Sequence, residues 1–503
     1  TNRGARVTSW ILKEFRGDDG LPLELVPASR PEGAATPFAL VTDDGVETRR
    51  LNEGLYRVSV DSPSVNVTGE PVTIEFEFQA ADGLRATKRF VFSADSYIVR
   101  FTAEVTRNGQ TLNPGVQWGP GLGEELARSS GQGGFLSGAY AYPVQAIYYT
   151  DGDIERTNPA DIASQPFVQG AFRYGGITDH YFVSSIVDPP GPVRFDWAPV
   201  SVPDPRDPLV QLQYIDYTVR FDTAPSDVQF FFGPKQFEVL RAIDPEFTRV
   251  IWFGMFAPLS VPLLDALRWV HGFVGNWGWS IVVLTLLINL AMAPLRHKSV
   301  VSMRKMQELQ PQMKSIQARY AKYKITDPER QKMNEEVMAL YKERGVNPAS
   351  GCLPMLLTMP VLFAFYSLLS QAIEIRGADF GGWIDDLSQA DPLYITPLLM
   401  GATMFWQMRI TPSTADPTQQ KVMQFMPIMF TFMFLWAPSG LVIYWFVSNL
   451  WAIGQQYFTN WMIGPPKLVA AGGPALADAP PAKAKREKSA GSGKTREARE
   501  KDK

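Results

Sequence analysis

The hydrophobic positions follow two different periods in the two halves of the chain. From about residue 35 to residue 240, apolar and polar residues alternate, as in the run Val-Thr-Ile-Glu-Phe-Glu-Phe at 72–78. A period of two predicts antiparallel strands with one face on a core and the other in water. Turn pairs such as Asp82-Gly83 punctuate the runs at short intervals. The pattern therefore predicts a large all-β sandwich.

The second half carries long apolar segments separated by short polar loops. The first segment, Trp277–Lys298, has tryptophans at its start, an uncharged middle and a cationic cluster at its end. This arrangement is typical of a helix that crosses a bilayer with its basic end in the cytoplasm. Four further crossings are predicted, at about 353–373, 392–408, 423–437 and 440–462. We therefore expect a polytopic α-helical core with five transmembrane helices.

Residues 246–275 connect the two halves. Aromatic and aliphatic residues are interrupted there by charged residues and prolines, including Asp265 and Arg268. A charged face on an aromatic-rich helix suits the membrane surface, so we predict an interfacial amphipathic helix. The alternative is a connector packed on the β-domain, because amphipathic character alone does not separate the two.

Residues 296–347 have helical composition and an excess of basic over acidic residues. Apolar residues recur there at spacings of three and four, which predicts a helical hairpin. Asp327 and Pro328 are the expected amino-terminal cap and first residue of its second helix. Three methionines mark the predicted substrate-receiving surface: Met306, Met313 and Met333. Methionine adapts to varied apolar partners when exposed, but methionines at helical spacing are more often part of a core.

The segments give a predicted domain organisation. It comprises a β-sandwich domain (1–245), the interfacial helix (246–275), the membrane core (276–463) and a disordered basic tail (464–503). The loop after the second crossing is acidic and therefore faces outward, which leaves the hairpin and the tail in the cytoplasm. The chain opens on Thr1, and no signal peptide is visible. We expect that an export or anchor segment preceded it.

The residues that carry most enzyme chemistry are sparse. The chain has one cysteine, Cys352, and three histidines that are far apart in sequence and match no metal-ligand spacing. Neither His-Glu-x-x-His nor Gly-x-Ser-x-Gly occurs, and the predicted crossings contain no paired carboxylates. We therefore predict a protein without catalytic residues, metal or cofactor, and not an enzyme.

Isolated polar residues lie within the predicted crossings. Thr285 and Asn289 are one helical turn apart in the first crossing and therefore share a face. The other candidates are Thr358, Gln424, Thr431, Tyr444 and Ser448. Such residues often only join helices by hydrogen bonds. Their concentration in the first and last crossings favours a shared polar groove, which would admit a polar segment of another chain into the bilayer.

The second half resembles the bacterial YidC membrane protein insertases, which are related to the Oxa-type insertases of organelles. The resemblance covers about residues 233–462. It is carried by the runs Phe273–Ser280, Met338–Lys342, Asn347-Pro348, Gly351–Pro354, Met359-Pro360, Phe425–Pro427 and Pro438–Leu441, with Tyr444 and Ser448-Asn449. The β-half matches the family only loosely.

The resemblance implies a periplasmic β-supersandwich followed by five helices around a groove open to cytoplasm and lipid, in the bacterial inner membrane. It implies insertion, folding and assembly of membrane proteins, alone or with the Sec translocon. The implied partners are nascent membrane proteins, the ribosome, Sec components and the phospholipid bilayer. The family commonly has a cation in the groove where this chain has Asn289, and often a Gln where it has Thr358. Arg296, roughly on the same face, is the candidate for charge at the groove mouth, although it could equally extend to the membrane surface.

Two other classes of function are weighed against insertion. A small-solute transporter would need internal repeats or interrupted helix pairs, which the sequence does not contain. A β-domain receptor anchored by its helices would not need five crossings and a long basic hairpin. Insertion of a single-spanning test protein into liposomes, solute flux, or neither would separate the three classes.

Overall fold

The computed structural model describes residues 1–464 except 18–19, 28–29, 31–33, 124–143, 205–206, 208, 324–326, 347–352 and 412–416. The predicted tail, apart from Gly464, lies outside the described residues. So does Cys352.

Strands are the main regular secondary structure of the first 234 residues. In chain order they are β1 (Ile11–Arg16), β2 (Pro22–Glu24), β3 (Ala39–Val41), β4 (Arg57–Val58), β5 (Val72–Gln79), β6 (Leu84–Phe92), β7 (Ile98–Arg107), β8 (Gln110–Leu112), β9 (Gly115–Trp118), β10 (Gln145–Thr150), β11 (Asp153–Thr157), β12 (Phe167–Gly170), β13 (Tyr174–Thr178), β14 (Phe182–Val187), β15 (Val193–Pro203), β16 (Gln211–Phe221) and β17 (Val228–Pro234). The strands predicted from alternation are confirmed by β5, β6 and β7, which pair antiparallel in sequence.

Two large sheets form the sandwich. A ten-stranded sheet has the order β11-β10-β13-β14-β17-β7-β6-β5-β4, with β8 paired to β7, and a five-stranded sheet has the order β12-β15-β16-β9-β3. β1 and β2 form a separate two-stranded sheet. Buried residues of both large sheets, such as Phe101, Phe230 and Phe195, belong to one apolar core. The inward-facing side chains of the two sheets therefore pack together and form the core of the sandwich.

Ten α-helices are described. They are α1 (Gly45–Glu53), α2 (Phe237–Ile243), α3 (Ala257–Val274), α4 (Trp277–Glu308), α5 (Gln310–Arg319), α6 (Pro328–Glu343), α7 (Leu353–Gln371), α8 (Ile395–Ile410), α9 (Pro417–Phe434) and α10 (Ser439–Ile463). Short 3-10 turns lie at Pro245–Val250, Gly254–Phe256 and Ile373–Ile375. The β-domain was predicted to be all-β, so α1 is an addition. Asp44 caps it by accepting from the Val46 amide.

Each of the five predicted crossings coincides with a helix. Within the described part of the chain, α4 alone is long and apolar enough to span a bilayer by length and composition. α4 has 32 residues, which corresponds to about 48 Å at 1.5 Å per residue. This exceeds the ~30 Å hydrocarbon thickness. The cationic cluster from Arg296 therefore lies within a continuous helix, not at its end.

The hairpin differs from its prediction at its break points. The first arm consists of the end of α4 and the separate helix α5, with the break at Leu309, just before Pro311. Proline at the start of a helix lacks the amide that would continue the preceding one. α5 ends at Arg319. The predicted start of the second arm is confirmed, because the Asp327 side chain accepts from the Glu329 amide at 3.0 Å and Pro328 follows it.

A tight turn joins α3 to α4, and the two helices pack against each other. Gly275, at φ 74°, ends α3 in the left-handed conformation that glycine adopts without steric cost. Leu264 and Leu267 of α3 are buried in a second apolar core, shared with α4, α7, α10 and part of the β-domain. The Ser260 hydroxyl donates to the Ala364 carbonyl of α7 at 2.9 Å. α3 therefore contacts the helices on one side, while Trp269 and Phe273 remain exposed on the other.

Candidate functional site

A cavity of about 480 Å³ lies between α4, α7, α8 and α10. We name it the groove. Its polar lining consists of Asn289, Arg296, Ser299, Thr358, Gln407, Thr411, Tyr444, Ser448, Asn449, Gln455 and Gln456. Its apolar lining includes Ile288, Met292, Met303, Met359, Leu362 and Trp445. Five of the eight predicted groove residues, contributed by three helices, therefore meet at one cavity: Asn289, Arg296, Thr358, Tyr444 and Ser448.

Asn289 connects α4 and α10, the two longest helices that line the groove. Its amide Nδ2 donates to the Thr285 carbonyl at 2.8 Å and lies 3.3 Å from the Ser448 hydroxyl of α10. Thr285, one turn earlier, is fully buried, and its hydroxyl donates to the Ile281 carbonyl at 2.6 Å. Thr285 therefore does not line the groove as predicted. It lies in the packed layer beside it.

Packing is apolar beside the groove, toward the amino-terminal ends of α4 and α10. The rings of Phe365 and Tyr444 stack with centroids 4.3 Å apart. Ile281, Leu284 and Leu441 are buried in the same core. The amides of Ser439 and Gly440, at the start of α10, donate to carbonyls of the loop before α8 at 2.7 and 2.9 Å. This loop therefore covers the amino-terminal end of α10.

Arg296 is the one cation among the described residues that line the groove, and no carboxylate lines it there. It lies seven residues beyond Asn289, about two turns of α4. Its side chain lines the same cavity as Asn289. A single guanidinium among uncharged amides and hydroxyls gives the groove a weakly positive character.

Two predicted groove residues, both on α9, lie elsewhere. Gln424 is exposed on the surface of α9. The Thr431 hydroxyl donates to the Pro427 carbonyl of its own helix at 2.7 Å and packs against Gly401 of α8. α9 lies against α8, and neither Gln424 nor Thr431 is among the residues that line the cavity. Both assignments are therefore wrong.

Side chains of α10 missed by the prediction also face α4. Gln455 Nε2 donates to the Ala293 carbonyl at 2.7 Å, and His297 Nδ1 lies 3.1 Å from the Thr459 hydroxyl. Arg304 donates to the Gly464 carbonyl. Together with Asn289 and Ser448, these pairs form a polar seam along two parallel helices. The signal was present in the adjacent glutamines 455 and 456, which are rare within an apolar segment.

The hairpin methionines differ in exposure. Met306 is buried, with 8% of its surface exposed, in a small core with Leu309 and Val346. The prediction that Met306 lies on a receiving surface is therefore wrong. Met313 accepts from the Tyr341 hydroxyl at 2.9 Å, and Met313 and Met333 are both partly buried. Met338, which the prediction did not single out, is 55% exposed.

No group of three or more His, Cys, Asp or Glu side chains in the described ranges is arranged to hold a metal ion.

Family models match both halves of the chain. One described as the YidC periplasmic domain matches residues 1–266, and one described as 60Kd inner membrane protein matches residues 269–465.

Similar curated proteins are membrane protein insertases YidC. That of Wolinella succinogenes is 34% identical over 454 residues, covering 89% of this chain and 78% of the relative. That of Cupriavidus necator is 36% identical over 456 residues, covering 88% and 79%. That of Campylobacter jejuni is 47% identical over 242 residues, covering 47% and 45%. A solved structure of an active YidC insertase aligns with 80% of this chain and 83% of that chain, at 19% identity and a TM-score of 0.35.

The predicted resemblance is thus confirmed over the β-half as well as the helical half, since the two family models together span most of the chain. The chain belongs to the YidC family of membrane protein insertases, with a periplasmic β-rich domain followed by a helical core.

Proposed function

We propose that this protein inserts and folds integral membrane proteins through the groove, without covalent chemistry. One observation carries the proposal: polar residues from α4, α7 and α10 that are far apart in sequence line one cavity of about 480 Å³. At ~30 Å³ per water, a cavity of this volume accommodates about fifteen waters. A hydrated cavity among apolar helices lowers the free energy of bringing a polar substrate segment partway across the bilayer.

The surroundings of the groove support release of the substrate into lipid. Large apolar side chains are exposed on α8 and α9: Leu398, Leu399, Phe405, Trp406, Phe425, Ile428, Met429 and Phe432. In a membrane these side chains face acyl chains. The apolar part of a substrate therefore passes from the groove to a surface that already contacts lipid, while its polar end stays among the groove amides.

The uncharged amide of Asn289 suits this mechanism. A charged residue at the centre of a bilayer costs about 2.5–3.5 kcal/mol on insertion scales. Asn289 offers donors and an acceptor without that cost. Arg296, two turns closer to the basic end of α4, supplies positive charge at the groove mouth. We infer that hydration, more than a fixed cation, carries insertion here.

The proposed topology has five crossings, formed by α4, α7, α8, α9 and α10. The β-domain, residues 1–245, is periplasmic, α3 lies in the membrane interface, and the hairpin and tail are cytoplasmic. The positions of Arg296, His297 and Lys298 and the acidic loop at 379–391 support this orientation. Proposed partners are nascent membrane proteins, the ribosome through the basic hairpin and tail, and Sec translocon components.

The proposal is tested with purified protein in liposomes and a single-spanning test protein. We expect insertion by the intact chain and no solute flux. Replacing residues 310–343 by a short Gly/Ser linker removes the substrate-receiving hairpin but keeps Ser299 and Met303 at the groove. This variant should stay folded and lose insertion. Normal insertion by it would refute the role of the hairpin, and absence of insertion by the intact chain would refute the proposed function.

A further inference from the structure

The outer end of α7 is held by the β-domain. The last carbonyls of a helix have no partner within it and carry the negative end of its dipole. Ser370 is the penultimate residue of α7, and its carbonyl lies within hydrogen-bond distance of His180 Nε2, in the turn between β13 and β14. A carbonyl can only accept, which assigns the hydrogen to Nε2. His180 therefore caps α7 from a different domain.

The turn that presents His180 is itself fixed. The Asp179 carboxylate accepts from the amides of Tyr181 and Phe182 at 2.8 and 2.7 Å. Lys235, buried at the end of the β-domain, donates to the Asp179 carbonyl at 2.6 Å. Burial lowers the pKa of His180 to about 3, with Lys235 adding to the effect. The imidazole therefore stays neutral and keeps one N–H for the Ser370 carbonyl at any physiological pH.

The chain leaving α7 passes between the two apolar cores. Ala372 and Ile375 belong to the core shared with the helices, whereas Ile373 belongs to the core of the β-sandwich. Next to them, the Arg376 guanidinium lies 5.2 Å from the ring centroid of Tyr181 and 5.5 Å from that of Phe182. Cation–π contacts and shared burial therefore add to the cap at the same place.

The opposite half of α7 forms a wall of the groove through Thr358, Met359 and Leu362. Between the two ends, the Ser367 hydroxyl donates to the Phe253 carbonyl at 2.9 Å, and Ser260 of α3 donates to Ala364. These bonds tie α7 to α3 and the connector. α7 also contacts α10 through the apolar stack of Phe365 on Tyr444.

We propose that the β-domain positions the α7 wall of the groove, with His180 as the positioning residue at its outer end. Pro360 interrupts α7 next to Thr358, but Leu362 also lines the groove and lies eight residues before Ser370 with no proline between them, about 12 Å at 1.5 Å per residue. A displacement at the cap therefore reaches the groove. The proposal rests on the proposed function only in treating α7 as a wall of the insertion groove.

The test measures distances between spin labels in the full chain in liposomes, with Cys352→Ser as background. One pair, Phe363→Cys and Leu450→Cys, spans α7 and α10, and a control pair, Leu290→Cys and Leu450→Cys, spans α4 and α10. All three label sites are exposed. We expect His180→Leu to shift or broaden the α7–α10 distribution by about 1–2 Å, the size of helix shifts at packed interfaces. The α4–α10 distribution should not change.

His180→Gln provides the conservative control, because its amide N–H can replace the imidazole donor and should restore the wild-type α7–α10 distribution. An unchanged distribution in His180→Leu would overturn the proposal. Equal changes in both label pairs would also overturn it, since His180 would then only stabilise the fold. Neither result depends on insertion activity. The positioning role of His180 can therefore be refuted while the proposed function stands, and the proposed function can be refuted while the positioning role stands.

Discussion

Two helix pairs in the membrane core pack by opposite means. α4 and α10 meet along hydrogen bonds between side chains and across to backbone, from Asn289 with Ser448 to Arg304 with Gly464. α8 and α9 meet at a glycine, Gly401, against which Thr431 packs. The first pair leaves room for a cavity beside its polar contacts. In the second pair, Gly401 allows α8 and α9 to approach each other closely.

The difference shows how the same residue type serves two purposes. The hydroxyls of Thr285 and Thr431 both donate to a carbonyl four residues earlier in their own helix, Ile281 and Pro427. A threonine satisfied in this way needs no partner helix for its hydroxyl. Groups that reach across, such as Asn289 and Gln455, line the groove. Asn289 donates to its own helix as well, but it also reaches the Ser448 hydroxyl of α10. A contact across to another helix, which the local sequence does not show, therefore separates Asn289 from Thr285 and Thr431.

The largest effect is expected from adding a methyl group at the contact between α8 and α9. A Cβ added at Gly401 would overlap the Thr431 hydroxyl, whereas a Cβ at Gly454 of α10 meets open space. Gly401→Ala should destabilise the protein by about 1–3 kcal/mol through overpacking. Gly454→Ala should be neutral or stabilising by up to about 1 kcal/mol, because alanine is the better helix former. Thermal unfolding in detergent measures both, and equal melting temperatures would refute the close contact.

The next effect compares two glutamines. Gln455 lines the groove and donates to the Ala293 carbonyl, whereas Gln424 is exposed on α9. Gln455→Met should reduce insertion several-fold, because it removes a groove amide and a bond of about 0.5–1.5 kcal/mol. Gln424→Met should insert at the wild-type rate. Insertion assays at matched protein level decide, and a larger loss in Gln424→Met would place the functional surface on α9.

The smallest effect concerns one bond of the polar seam. His297→Leu, Thr459→Val and the double variant form a cycle across α4 and α10. We expect a coupling energy of about 0.6 kcal/mol, the average for hydrogen bonds between helices in a membrane. Unfolding in denaturant gives the value. A coupling of zero would mean that the seam is held by apolar packing, as α8 and α9 are.

Much of this architecture follows from the sequence, because periodicity depends on local geometry. Alternation predicted β5, β6 and β7, and apolar length predicted the five helices of the core, although α4 continues ten residues beyond the predicted Lys298. Asp327 was predicted as a cap, since capping needs only neighbouring residues. The β-domain boundary near residue 245 stays a prediction.

The site was harder to predict because it depends on which face of each helix meets another helix. Gln424 and Thr431 were misplaced, since nothing local shows that α9 lies outside α8. Met306 packs at the base of the hairpin, in contrast to the exposed surface that the sequence predicts. The cap of α7 by His180 joins residues separated by 190 positions, and no short-range pattern signals it.

The central claim is that insertion depends on water held in the groove. Its most direct test replaces polar side chains by apolar ones where α4 meets α10. Insertion of one test protein is measured at matched protein level for Asn289→Leu with Ser448→Ala, for Thr285→Val and for Arg296→Gln. We predict that the double variant inserts poorly, because it replaces the two polar groups that meet across the groove. Thr285→Val should insert nearly normally, since its hydroxyl does not reach the groove, and Arg296→Gln should lose less than the double variant. Normal insertion by the double variant together with failure of Arg296→Gln would contradict the account and assign insertion to the charge at the groove mouth.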